Sequence, residues 1–121
     1  MVFAKCFDEM RGFRTINLML TVIETQSYLK SIEGIWSIEE SEAFVTFIAA
    51  NPEAGDVIPG TLGLRKVRWA ASGRGKRGGA RVIYLHHAPR GQVALLIAYT
   101  KAKFDNLPTD FLNRLREQYN V

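Results

Sequence analysis

From residue 57 to residue 104 this chain contains no aspartate and no glutamate, although it carries ten lysines and arginines there. Other absences are as informative. One cysteine, Cys6, in 121 residues excludes an intrachain disulfide framework and a multi-cysteine metal site. The two histidines, His86 and His87, have no carboxylate or thiol close by in sequence, so no metal-ligand set is expected. Ten glycines and four prolines are too few for wholesale disorder or a fibrous repeat. The longest apolar run near the start, Ile16–Ile23, is broken by Asn17 and Thr21 and is too short to span a membrane. No small-residue cleavage site follows it, so no secretory signal is expected. These absences predict a single cytoplasmic domain without metal or cofactor and without a membrane partner.

What is present is a charge partition. The formal net charge is +4. Residues 1–56 hold four bases and nine acids, and residues 105–121 hold two bases and three acids. The acid-free stretch between them carries +10. A surface selected for solubility alone would mix signs, and like charges across strands are destabilising without a partner. A bound polyanion is the simplest compensation.

Apolar residues make up 47% of the chain, enough for a small core. Residues 1–18 read as an N-terminal extension, with Phe3, Phe7, Met10 and Phe13 at roughly helical spacing, and residues 19–121 as the domain. Leu20–Thr25 reads as a first strand, followed by a short helix over about 27–35 that ends at Gly34. Ser37-Ile38-Glu39-Glu40 is a capping box opening a helix through Ala50, which Asn51-Pro52 stops. Three strands follow, at 64–70, 81–87 and 92–99. The short links between them predict antiparallel pairing. Leu107–Tyr119 reads as a closing helix with Pro108 at its start. The order β-α-α-β-β-β-α predicts an α+β fold, an antiparallel sheet with helices mainly on one face. An uncovered sheet face could hold charge.

Strand alternation puts Lys66 and Arg68 on one face and Arg65, Val67 and Trp69 on the other. Arg81 starts the neighbouring strand, and Lys101 and Lys103 follow the third. Ser72–Gly79 contains Gly73, Gly75 and Gly78 in a G-x-G-x-x-G spacing. A strand follows it rather than a helix, and no acid occurs at the required distance, so the dinucleotide fingerprint fails. The segment reads instead as a basic hairpin loop whose Arg74, Lys76 and Arg77 could wrap a phosphate backbone. His86 or His87 could serve as an acid or base near neutral pH, or could simply end a strand in solvent.

Gly63-Leu64-Arg65-Lys66-Val67-Arg68-Trp69-Ala70, the loop Gly73–Ala80, Arg81-Val82-Ile83-Tyr84 and Leu95–Lys101 resemble the RelE/HigB toxins of type II toxin–antitoxin systems. Asn51–Thr61 resembles the same branch, and the resemblance covers about residues 19–107. It implies a RelE-like α+β fold and a metal-independent, ribosome-dependent mRNA endonuclease. In that reaction the RNA 2′-OH attacks the adjacent phosphorus and leaves a 2′,3′-cyclic phosphate. It also implies an antitoxin partner, often a helix-turn-helix protein of HigA type. By resemblance Lys66, Arg68, Arg81 and Lys101 are the catalytic positions. Arg65, Arg74, Lys76, Arg77, Tyr84, Tyr99 and Lys103 are RNA-binding candidates, the tyrosines as base-stacking groups or as buried sheet residues. With no acid in the basic stretch, the proton acceptor would be a lysine or the RNA itself; neighbouring cations lower a lysine's pKa. The alternatives are a non-catalytic RNA- or ribosome-binding module and a degenerate toxin on the same fold.

Overall fold

A computed structural model describes residues 20–69, 79–100 and 107–119, together with the backbone of residues 2–4. The elements are β1 (Val2–Ala4), β2 (Thr21–Glu24), α1 (Gln26–Ser31), α2 (Ile38–Ala50), β3 (Asp56–Val57), β4 (Leu64–Trp69), β5 (Ala80–His87), β6 (Gln92–Thr100) and α3 (Thr109–Gln118). The strands form one sheet in the order β1-β2-β6-β5-β4-β3.

The α+β class and the order of the main elements match the expectation from sequence. β4, β5 and β6 form an antiparallel meander. The pair β2–β6 departs from it and is parallel. No hairpin fixes the direction there, because the chain returns from β2 only after two helices and three strands. β1 and β3 are additional edge strands too short to show a period in sequence. β1 pairs antiparallel with β2, so residues 2–4 of the expected extension join the domain's sheet. Of the helically spaced Phe3, Phe7, Met10 and Phe13, Phe3 lies in β1, and the other three, like Cys6, lie outside the described residues.

Local signals explain the helix starts. Ser37 accepts from the Glu40 amide at 3.1 Å, and Glu40 accepts from the Ser37 amide at 3.2 Å, which completes the capping box of α2. The Thr25 hydroxyl accepts from the Tyr28 amide at 3.2 Å and donates to the Leu95 carbonyl at 2.8 Å. One side chain thus caps α1 and ties it to β6. The Ser31 hydroxyl repeats the tie at the other end, accepting from the Ala98 amide at 2.8 Å. α1 stops at Ser31, earlier than Gly34, and turn bonds carry the chain on to Ile35.

The sheet has apolar residues on both faces. Val22, Val67, Val82, Tyr84, Val93, Leu95 and Ala98 pack with Tyr28 of α1 and Phe44, Val45 and Ile48 of α2. Leu64, Ile83, Leu85, Ala94, Leu96 and Tyr99 cluster on the opposite face with Leu112 and Leu115 of α3. Among the described residues, two of the three α-helices therefore share a face. A register shift at Ile83/Tyr84 accommodates one extra residue in β6, so consecutive Leu96 and Ile97 both join the α3-side cluster. This double cover is why β6 is almost wholly apolar.

Candidate functional site

Strand register brings the basic residues together. Lys66 stands opposite Ile83, and Arg68 stands opposite Arg81. Arg81 in turn stands opposite Tyr99 on β6. Cross-strand partners share a face, so Lys66, Arg68 and Arg81 all lie on one side of the sheet; alternation predicted that shared side for Lys66 and Arg68, and it is the side of α3 rather than a helix-free one. α3 is seated at the Leu64–Gln92 end of that side: the Asn113 side-chain amide donates to the Gly60 carbonyl at 3.2 Å and the Tyr119 hydroxyl donates to Gln92 Oε1 at 2.9 Å. At the other end Arg68 is exposed and Lys66 and Arg81 are half-buried.

The uncovered region is a cleft at the sheet edge rather than a whole open face. Ile83 and Tyr99, between and beside the bases, are buried. The cleft has a volume of about 490 Å³ and is lined by Phe47, Ala54, Asp56, Lys66, Val67, Arg68 and Arg81. It reaches round β4 because β3 pairs only with Arg65 and Lys66. Among the described residues the edge of β4 from Val67 onward is left uncovered, which joins the arginines to Phe47 on the α2 side.

Asp56 corrects the picture of a carboxylate-free site. It is the cross-strand partner of Lys66. The acid-free stretch of sequence begins at the very next residue, so a boundary drawn along the chain separated two groups that the sheet places side by side.

The loop that delivers Asp56 is fixed from beneath. The Tyr84 hydroxyl donates to the Pro52 carbonyl at 2.8 Å and accepts from the Gly55 amide at 2.9 Å. Burial pushes the Tyr84 phenol up, which keeps it protonated as the donor to Pro52. The Arg65 guanidinium donates to the Gly55 carbonyl at 2.6 Å. Gly55 is required for close approach: a Cβ there would lie 2.7 Å from the Lys66 carbonyl oxygen.

These contacts reassign three of the expected RNA-binding residues. Tyr84 is fully buried with its hydroxyl engaged, so it holds a loop and cannot stack a base. Tyr99 is 3% exposed and offers no free ring face. Arg65 lies on the other face from Lys66, as its register with Tyr84 requires, and anchors the same loop. Arg74, Lys76, Arg77, Lys101 and Lys103 lie outside the described residues. His86 shares the α1–α2 face with its partner Val93, away from the arginine row, and partial burial lowers its pKa. Phe47, an apolar residue of α2, is not among the residues the sequence singles out for the site. Its helical spacing carries no signal that separates a cleft wall from a core residue.

Among the described residues no group of His, Cys, Asp and Glu could hold a metal ion, and no helix is long and apolar enough to cross a membrane. No model of a protein family matches the chain. Among solved structures, it is similar to that of the Escherichia coli toxin RelE, a double arginine-to-alanine mutant in the free state. The TM-score is 0.57 at 14% identity, over 82% of this chain and 98% of that one. The chain therefore has a RelE-like fold.

Proposed function

We propose that this protein is an RNA-cleaving toxin of the RelE/HigB type, acting on mRNA in the ribosome and silenced by a cognate antitoxin of helix-turn-helix, HigA-like class. The observation that carries the reading is the Arg68–Arg81 pair. Two guanidiniums directly opposite on adjacent strands repel each other, and an anion between them turns that repulsion into attraction. A phosphodiester in the cleft supplies that anion.

The chemistry is an in-line displacement within the RNA. The 2′-oxygen attacks phosphorus, its proton leaves to an acceptor, and the P–O5′ bond breaks as the departing 5′-oxygen takes up a proton from a donor or from water. The products are a 2′,3′-cyclic phosphate and a 5′-hydroxyl. Arg68 and Arg81 stabilise the charge that builds on the phosphoryl oxygens, where one well-placed donor contributes about 3 kcal/mol. Lys66 and Asp56 form the neighbouring cross-strand pair. A carboxylate at the cleft widens the choice of proton acceptor beyond a lysine or the RNA. The fold shared with RelE supports the reading, and so does the concentration of positive charge on the strands that build the cleft.

The test is translation on purified ribosomes with the full chain added. The expected result is mRNA cut in the decoding site with a cyclic phosphate end, and loss of cutting in Arg81→Ala. RNA or ribosomes bound without cutting would identify a binding module instead. Unchanged cutting by both Arg68→Ala and Arg81→Ala would reject the site.

A further inference from the structure

The cleft has two unlike walls. One presents Lys66, Arg68, Arg81 and Asp56, and the other presents Phe47, Ala54 and Val67. A phosphate by itself needs only the charged wall. The volume, about 490 Å³, falls within the range of about 300–1,000 Å³ typical of small-molecule sites. A ligand that satisfies both walls carries an anion next to a flat apolar surface, which is the chemistry of a nucleotide.

Phe47 is suited to the flat partner. It is partly exposed where it lines the cleft, and its ring is packed from behind. Its centroid lies 4.9 Å from that of Trp69 at an interplanar angle of 37°. Phe44, fully buried, lies 6.5 Å from Phe47 and 5.6 Å from Trp69. Trp36 stacks on Phe44 at 5.6 Å. This aromatic cluster sets the Phe47 ring before any ligand arrives, so stacking there orders little that is not already ordered. The two tyrosines of the β5–β6 pair are buried and cannot do this.

The geometry points to Phe47 as the base-stacking residue of the RNA site, with the phosphate of the bound nucleotide held at Arg68 and Arg81. The inference rests on the RNA reading above and adds a residue and a contact that the reading does not contain. A base–aromatic stack tolerates any base, because each has a π face, so Phe47 contributes affinity and placement rather than sequence preference.

The experiment uses fluorescence anisotropy with the full chain and two labelled single-stranded RNAs of equal length. One carries all its bases, and the other has a central run of abasic residues. The wild type is expected to bind the base-bearing RNA more tightly. Phe47→Leu is expected to lose about tenfold on that RNA and nothing on the abasic one. Phe47→Trp is expected to restore the preference, and the indole emission it adds should be quenched by the base-bearing RNA alone, a readout that holds even if Phe47→Leu folds poorly. An equal loss on both RNAs, or wild-type affinity in Phe47→Leu, would overturn the inference and leave the RNA reading standing. A wild type that binds neither RNA would overturn the inference, whereas the RNA reading itself stands or falls on the cutting of mRNA on ribosomes.

Discussion

One sheet face ends in two opposite ways. At one end Leu64, Leu85 and Ala94 are buried in a cluster with Leu112 and Leu115 of α3. At the other end, on the same strands and the same side, stand Lys66, Arg68 and Arg81. Along β4 and β5 the alternation runs unbroken between the two ends, and among the described residues what differs is the covering helix α3. Apolar side chains are stable under α3 because they leave water. The bases lie beyond it, Arg68 exposed and Lys66 and Arg81 half-buried. The comparison teaches that stability and the candidate function occupy neighbouring rows of one surface and can be perturbed separately.

The most severe way to break that separation is to truncate one side chain at each end. Leu64→Ala is expected to destabilise the fold by about 2–5 kcal/mol, measured by denaturant unfolding, because Leu64 is fully buried. Arg68→Ala is expected to leave the unfolding midpoint within experimental scatter, or raise it, since removing one of two opposed cations relieves repulsion. It is expected to weaken RNA binding and flatten its salt dependence. A large loss of stability in Arg68→Ala would erase the distinction between the two ends.

A smaller change sharpens it at the boundary. Tyr84→Phe removes the bond to the Pro52 carbonyl and the acceptor for the Gly55 amide, both beneath the loop that carries Asp56. The expected cost is about 1–3 kcal/mol, read from the unfolding midpoint. RNA binding should fall as well, because the loop forms the Ala54–Asp56 part of the cleft. At this position stability and site should move together. The smallest effect is expected far from both ends. Ser37→Ala breaks the capping box of α2 and should cost about 1 kcal/mol in unfolding experiments without altering RNA binding.

Much of this arrangement was legible along the chain. The capping box at Ser37 announced α2 to the residue, since its signal is local and chemical. The alternation of Leu64–Trp69 separated Lys66 and Arg68 from Arg65, Val67 and Trp69 correctly, because a strand's period is fixed by its backbone. The short strands β1 and β3 were not legible, since two or three residues carry no period. Tyr84 was readable as aromatic and near the basic residues, but its two hydrogen-bond partners lie about thirty residues away. Asp56 fell outside the acid-free stretch by one residue and stands opposite Lys66 nonetheless.

The amino-acid sequence by itself determined the α+β class, the main elements and the face on which each base of β4 lies. These follow from local chemistry and from the periods of helix and strand. Tertiary structure alone decided that β2 runs parallel to β6, that α3 covers one end of the basic face, and that Phe47 and Asp56 meet the arginines in one cleft. Each of those is a contact between segments distant in sequence. Which partner a side chain meets there depends on how the whole sheet closes, and no local period encodes it.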